Sequence, residues 1–216
     1  MTIVPGSEII KLFNALNDSK IRYVLLRNIN GELPNQLTKG KDVDFLVHPS
    51  DKSKFRFFVE TLGFKKIRHP FHLYKFLYNL ESFHFFEKKD LILDICYQIA
   101  CQSLNKNEKA WLPLDCVIQE SFFANRVLYE ENDFKYWKPC FEDELIGLIV
   151  RSVFDKRIFL DSYIETIEIL FDKIKINNVS KKLNLIFFKF TPKLLDMLKL
   201  RSYDKILDQY LTFKDY

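Results

Sequence analysis

Glycine and cysteine are scarce in this chain of 216 residues, and neither is arranged in a familiar pattern. The five glycines exclude glycine-rich linkers, collagen and most repeat solenoids. The four cysteines form no Cys-x-x-Cys pair and have no histidine at zinc-finger spacing. This pattern favours buried free thiols in a reducing compartment.

Segments that direct a protein to a membrane are also missing. No apolar run approaches the roughly 18 residues of a membrane span. The opening residues, MTIVPGSEIIKLF, contain neither the basic region nor the apolar stretch of a secretory signal. The sequence therefore predicts a cytoplasmic protein with no membrane span.

Several catalytic signatures are absent as well. The sequence contains no Gly-x-Gly-x-x-Gly, P-loop, His-Glu-x-x-His or Gly-x-Ser-x-Gly motif. These absences argue against dinucleotide enzymes, P-loop kinases, zincins and α/β-hydrolases. The net charge of +4 fits an anionic small molecule as well as a nucleic acid, and it favours neither.

What is present is a change of hydrophobic period near residue 138. We predict a mixed α/β domain over residues 1–137 and a helical domain over residues 138–216. The first domain is expected to contain two strands followed by a meander of further β-segments, at 21–26, 43–47, 64–68, 71–78, 82–87 and 91–97. In the second domain, Thr191 and Pro192 are expected to open one last helix through about Leu211.

Residues 40–47, GKDVDFLV, carry the strongest chemical signal. Side chains alternate along a strand, so Asp42 and Asp44 share one face, while Val43, Phe45 and Val47 share the apolar one. Two carboxylates about 7 Å apart repel each other, and a divalent cation relieves that repulsion. Oxygen ligands of this kind suit Mg²⁺ held together with substrate phosphates.

A third carboxylate interrupts the apolar segment of residues 91–97, LILDICY. Leu93 and Ile95 are expected to point to the core, which turns Asp94 to the opposite face. If this strand lies beside the one that carries Asp42 and Asp44, the three acids form a two-metal site. The histidines, by contrast, give no usable signal: His72 and His84 resemble ordinary sheet residues, and His48 and His69 show no spacing pattern.

These elements together resemble the nucleotidyltransferase (polymerase-β-like) superfamily. The quoted segments are YVLLRN at 23–28, GKDVDFLV at 40–47 and LDI at 93–95. They are similar to those of its small stand-alone members, several of which lie in bacterial surface-polysaccharide gene clusters. The resemblance covers residues 7–97 well and residues 139–175 loosely.

The resemblance implies an α+β fold, with a nucleotidyltransferase-like mixed β-sheet flanked by helices and followed by a C-terminal helical bundle. It implies transfer of a nucleotidyl group from an NTP to an acceptor, with a sugar or glycan intermediate as the suggested acceptor. Asp42, Asp44 and Asp94 would hold Mg²⁺ or Mn²⁺, and Asp94 would act as the base or orient it. Arg27 and Asn28, together with Lys41, would contact the nucleotide phosphates.

The chain departs from the superfamily at one point. A Gly-Gly or Gly-Ser pair usually follows the first strand, where this sequence has Arg27 and Asn28. Asparagine can adopt the left-handed conformation that glycine supplies, so Asn28 is compatible with the turn, and Arg27 and Lys41 are expected to compensate for the missing phosphate cradle. The alternative for Arg27 is an ion pair with one of the acids, and the alternative for Lys41 is a solvated position.

Three other functions stay open from the sequence. One is a nucleotidyltransferase toxin that modifies tRNA or protein, which would have a basic stripe beside the acids. The second is a catalytically silent binding protein on the same fold, and the third is a phosphotransferase or another metal-dependent transferase.

Overall fold

A computed structural model describes residues 2–28, 31–105 and 107–214. It contains ten strands: β1 (Tyr23–Leu25), β2 (Asp42–Val47), β3 (Lys65–Ile67), β4 (Lys75–Phe76), β5 (His84–Lys88), β6 (Leu91–Cys96), β7 (Ala100–Gln102), β8 (Ala110–Pro113), β9 (Val127–Glu131) and β10 (Phe134–Lys138). Its α-helices are α1 (Gly6–Asp18), α2 (Lys52–Thr61), α3 (Cys116–Ala124), α4 (Phe141–Val150), α5 (Asp161–Phe171), α6 (Ile176–Phe187), α7 (Thr191–Lys199) and α8 (Tyr203–Leu211).

The central sheet has five strands in the order β1-β2-β6-β5-β3. Strands β2 and β6 run parallel, and the other neighbouring pairs run antiparallel. The sheet is therefore mixed, and the predicted α+β architecture with a C-terminal helical region is confirmed. The chain runs from β3 through β5 to β6, and β6 lies directly beside β2.

One predicted strand is not part of this meander. Of residues 71–78, only β4 is extended, and it pairs with β8 in a separate sheet of order β4-β8-β7. The residues before it form tight turns instead, in which the His72 and Tyr74 amides donate to the His69 and Phe71 carbonyls. Residues 98–137, which the sequence left unassigned, supply β7, β8, α3 and the β9–β10 hairpin.

Two hydrophobic clusters lie on the two faces of the central sheet. On one face, Val43 and Phe45 of β2 pack with Phe13 of α1 and Phe55 of α2. On the other face, Val24 and Leu46 join residues of α3 to α8. This second cluster contains residues from both sides of position 138, and the division of the chain at 137/138 stays a prediction.

The C-terminal part differs from the expectation in one place. The predicted last helix is divided into α7 and α8, because Arg201 adopts a positive φ of 55° and the Ser202 amide donates to the Met197 carbonyl. That geometry ends a helix. None of the described helices is long and apolar enough to cross a membrane.

Candidate functional site

Three carboxylates meet on the face of the central sheet that looks toward the C-terminal helices. Asp42 and Asp44 lie on β2, and the parallel register places Asp44 directly beside Asp94 of β6. One carboxylate oxygen of each residue lies within 4.8 Å of one oxygen of each of the others. The structure thus brings together the three acids that the sequence singled out.

Alternation along the two strands explains why the acids face this way. Val43 and Phe45 of β2, with Leu93 and Ile95 of β6, are buried in the cluster on the opposite face. Each apolar side chain therefore turns its acidic neighbour toward the helices. A shift of either strand by one residue would turn its apolar side chains away from the core. The hydrophobic pattern therefore also determines which face of the sheet carries the acids.

The electrostatics of the three acids favour a bound cation. Burial raises the pKa of Asp42, and the nearby charge of Asp44 raises it further. Burial likewise raises the pKa of Asp94, as do the charges of Asp44 and Asp42, while a hydrogen bond from His69 lowers it. These carboxylates are held together against desolvation and mutual repulsion, which a divalent ion would relieve.

Arg27 is part of this site, but its partner is a carboxylate. Its Nε donates to Asp44 Oδ2 over 3.1 Å, and its Nη2 donates to Asp44 Oδ1. Burial by itself would lower the pKa of Arg27, yet the charges of Asp44 and Asp94 raise it. The guanidinium is charged and directly beside the acids, in the ion pair that was the alternative to phosphate contact.

Asn28 and Lys41 have partners in the loop and the hairpin instead. Asn28 accepts from the Leu33 amide over 2.9 Å and donates to the Tyr136 hydroxyl over 3.2 Å, whereas Lys41 pairs with Glu32. Asn28 does not adopt the left-handed conformation open to it: positive φ angles in the described part of this loop belong to Gly31 and Gly40. Asn28 needs no such conformation because its side chain fixes the loop by hydrogen bonds. Phosphate contact by Asn28 and Lys41 stays a prediction.

His69 is a site residue that the sequence reasoning missed. Its Nε2 lies 3.3 Å from Asp94 Oδ1, and its Nδ1 accepts from the Phe71 amide over 3.0 Å. Because an amide can only donate, Nδ1 carries no proton and the Nε2–H points to Asp94. The side chain is buried and packs edge-on against Phe85. The contact joins positions 25 residues apart, so no local spacing reveals it.

A cavity of about 450 Å³ extends from the three acids toward the helices. Its far end is lined by Gln102 of β7 and by Arg151, Asp155 and Lys156 of a π-helical turn that continues α4. The Asp155 carboxylate accepts a hydrogen bond from the backbone amide of Gln102 over 3.0 Å. It also lies 3.6 Å from an Arg151 side-chain nitrogen. Burial raises the pKa of Asp155 to about 6. The helical part thus closes a cavity large enough for a small molecule.

Comparison with known proteins identifies this arrangement of sheet and helices. No family model matches the sequence, and no curated protein matches it significantly. Among solved structures, the chain is similar to the antibiotic-resistance factor ANT(2'')-Ia in solution. The TM-score is 0.50 at 11% identity, over 92% of this chain and 97% of that one. It is also similar to the lincosamide antibiotic adenylyltransferase LnuA bound to lincomycin, with a TM-score of 0.47 at 14% identity, over 80% and 100% of the two chains.

The likeness to ANT(2'')-Ia defines the class of fold. The chain therefore has a nucleotidyltransferase-like fold, as the resemblance in residues 7–97 implied.

Proposed function

We propose that the protein is a metal-dependent nucleotidyltransferase that moves an NMP group from an NTP to a hydroxyl of an acceptor. The observation that carries the proposal is the convergence of Asp42, Asp44 and Asp94 within 4.8 Å on this fold. In the reaction, the acceptor oxygen forms a bond to the α-phosphorus, and the bond from that phosphorus to pyrophosphate breaks.

The residues present fit a divalent ion. Three neighbouring carboxylates, of which only Asp44 has an arginine partner, supply hard oxygen ligands, which Mg²⁺ and Mn²⁺ prefer. Asp42, Asp44 and Asp94 would hold the ions. When bound, the metal activates the attacking hydroxyl and neutralises charge on the transferring and leaving oxygens.

Arg27 has two functions in this proposal. Without ligand, it neutralises Asp44 through their ion pair. With a nucleotide present, its planar guanidinium is suited to phosphate oxygens, so we infer that it exchanges its carboxylate partner for a phosphate. Lys41 and Asn28 stand at the two ends of the loop 28–41 and complete the proposed nucleotide contacts.

Asp94 accepts the proton of the attacking hydroxyl in this proposal. A carboxylate used in this way has to present one oxygen in a fixed direction. His69 donates its Nε2–H to Oδ1 of Asp94 and is itself fixed by the Phe71 amide. We therefore assign His69 as a positioning residue for Asp94.

The acceptor is a small molecule in this proposal. The cavity of about 450 Å³ accommodates one, and it adjoins Asp94. The resemblance suggests a sugar or glycan intermediate of surface-polysaccharide synthesis, whereas ANT(2'')-Ia and LnuA are an antibiotic-resistance factor and an antibiotic adenylyltransferase. A toxin that modifies tRNA or protein would use the same three acids on a larger acceptor.

A silent binding protein is the second candidate, and the pair between Arg27 and Asp44 favours it. That pair occupies an acid which a metal would need. The two candidates differ in whether nucleotide and metal together displace Arg27.

Thermal denaturation with Mg²⁺ and each NTP separates these candidates. A ligand that binds the native state adds about 2.7 kcal/mol to the free energy of unfolding at a hundredfold excess over Kd. The melting temperature rises as a result. The proposal predicts a shift with Mg²⁺ and at least one NTP, and none in the Asp42→Asn, Asp44→Asn double variant. Asp51→Asn is unsuitable as a control because Asp51 pairs with Arg22. Asp18→Asn serves instead, since Asp18 is exposed and has no ion pair within the described residues. No shift in the wild-type protein would remove the support for an enzyme.

A further inference from the structure

A second cavity of about 300 Å³ shares His69 and two phenylalanines with the lining of the main cavity. We call it the basic pocket. Cationic and imidazole side chains share its lining with aromatic rings, among them Lys66, Arg68, His72, His84, Phe71 and Phe83. No carboxylate belongs to the described residues that line it, in contrast to the acid-rich main cavity.

The lysine and the arginine of the basic pocket have no partners in the described part of the chain. Within the described residues, the side chains of Lys66 and Arg68 have no hydrogen bond or ion pair. Around the main cavity, Arg27 pairs with Asp44 and Arg151 pairs with Asp155, whereas Lys156 has no ion pair within the described residues. Two free cations thus lie together at the basic pocket, where an anion would meet them without displacing a partner.

Lys66 and Arg68 supply the permanent positive charge of the basic pocket. Burial lowers the pKa of His84 to about 4, and the charge of Lys66 lowers it as well. His84 is consequently neutral at pH 7, and a variant that removes the charges of Lys66 and Arg68 removes the attraction for an anion.

The location of the basic pocket relates it to the reaction. His69, Phe71 and Phe83 line both cavities, so the pocket adjoins Asp94. In the sheet order β1-β2-β6-β5-β3, the pocket lies at β3 and β5, whereas Arg27 and Lys41 lie at β1 and β2. The strand of Asp94 separates the two regions, so a group in the basic pocket is remote from the proposed nucleotide contacts.

We propose that the basic pocket binds the phosphate of a phosphorylated small-molecule acceptor whose hydroxyl lies at Asp94. This inference rests on the proposed function and adds the chemical class of the acceptor. The two exposed cations attract the phosphate, and the aromatic side chains of the basic pocket cover the apolar part of the acceptor. A volume of about 300 Å³ and a chain charge of only +4 favour a small phosphate ester over a nucleic acid.

Phenyl phosphate is the probe, since it combines a ring with a phosphate ester. Phenol, which lacks the phosphate, is the uncharged control compound. Binding is measured by calorimetry in EDTA without nucleotide. We expect phenyl phosphate to bind the wild-type protein and phenol not to bind. The Lys66→Glu, Arg68→Glu double variant should lose at least about tenfold in affinity, since each lost charge-assisted hydrogen bond is worth that much.

Lys65→Glu is the matched control, because Lys65 lies beside Lys66 on β3, is equally exposed and does not line the basic pocket. It should keep the wild-type affinity. The inference is overturned if phenyl phosphate does not bind, or if Lys65→Glu weakens binding as much as the double variant does. Unchanged melting temperatures of the free variants show that the fold is kept.

Two further measurements distinguish a failure of this inference from a failure of the proposed function, and a small molecule from a nucleic acid. The Asp42→Asn, Asp44→Asn variant should still bind phenyl phosphate, so a failure of nucleotide binding and a failure of the basic pocket give different results. A short single-stranded RNA is the competing ligand. If it binds through Lys66 and Arg68 more than about a hundredfold tighter than phenyl phosphate, the acceptor is a nucleic acid and the small-molecule class is wrong.

Discussion

Replacing Lys182 by methionine should destabilise the protein strongly, because Lys182 neutralises a fully buried carboxylate. Asp143 of α4 is 0% exposed, and its Oδ1 lies 2.5 Å from the Lys182 ammonium of α6. The same ammonium lies 2.5 Å from the Ser121 hydroxyl of α3, which donates to Asp143 over 2.7 Å. The cluster therefore joins three helices at the side of the main cavity.

The size of the effect follows from what remains after the change. Methionine fills a similar volume, so the principal loss is the counter-charge of Asp143. Removing one partner of a buried pair costs about 3–5 kcal/mol, because the other charge is left uncompensated. Against a total stability of roughly 5–15 kcal/mol for a domain, this loss is large.

Equilibrium urea unfolding followed by circular dichroism measures this loss. Lys181→Met is the matched control, because Lys181 is the exposed neighbour on α6, and it should change stability by less than about 0.5 kcal/mol. The Asp143→Asn, Lys182→Met double variant should recover part of the loss, since no buried charge remains. If Lys182→Met is no less stable than Lys181→Met, the argument from the buried pair is refuted.

Two other predictions concern residues that line the main cavity. The pKa of Asp155 is raised from 3.8 to about 6, so its native form holds the proton more tightly and stability falls as pH rises between these values. Relative to Asp155→Asn, the wild-type protein should lose roughly 2 kcal/mol from pH 4 to pH 7, and a constant difference in urea unfolding across this range would contradict it. His69→Phe should weaken Mn²⁺ binding about 10–100-fold by paramagnetic resonance, whereas His69→Gln, which keeps a donor near Asp94, should largely restore it. Equal affinities of the two variants would show that His69 does not position Asp94.

The sequence predicted the acids well because strand alternation is a local property. The apolar partners Val43 and Phe45 determine which face carries Asp42 and Asp44, and the same reasoning places Asp94. The pairing of β2 with β6, however, depends on a long-range register. It came from the resemblance rather than from periodicity.

The parts that the sequence did not reveal depend on contacts between distant residues. His69 is positioned by the turn at residues 69–74 and reaches Asp94 across β5. Residues 98–137 form short strands whose partners lie elsewhere in the chain, such as β4 for β8. The pair between Lys182 and Asp143 joins residues 39 positions apart, which no pattern of charge predicts.

A crystal structure with Mn²⁺ and a non-hydrolysable NTP tests the central claim most directly. Anomalous scattering should locate at least one ion about 2.1 Å from carboxylate oxygens of Asp42, Asp44 and Asp94. The Arg27 guanidinium should then contact a phosphate instead of Asp44. An ordered nucleotide with no ion at these acids, or Arg27 still paired with Asp44 in saturated crystals, would contradict the claim.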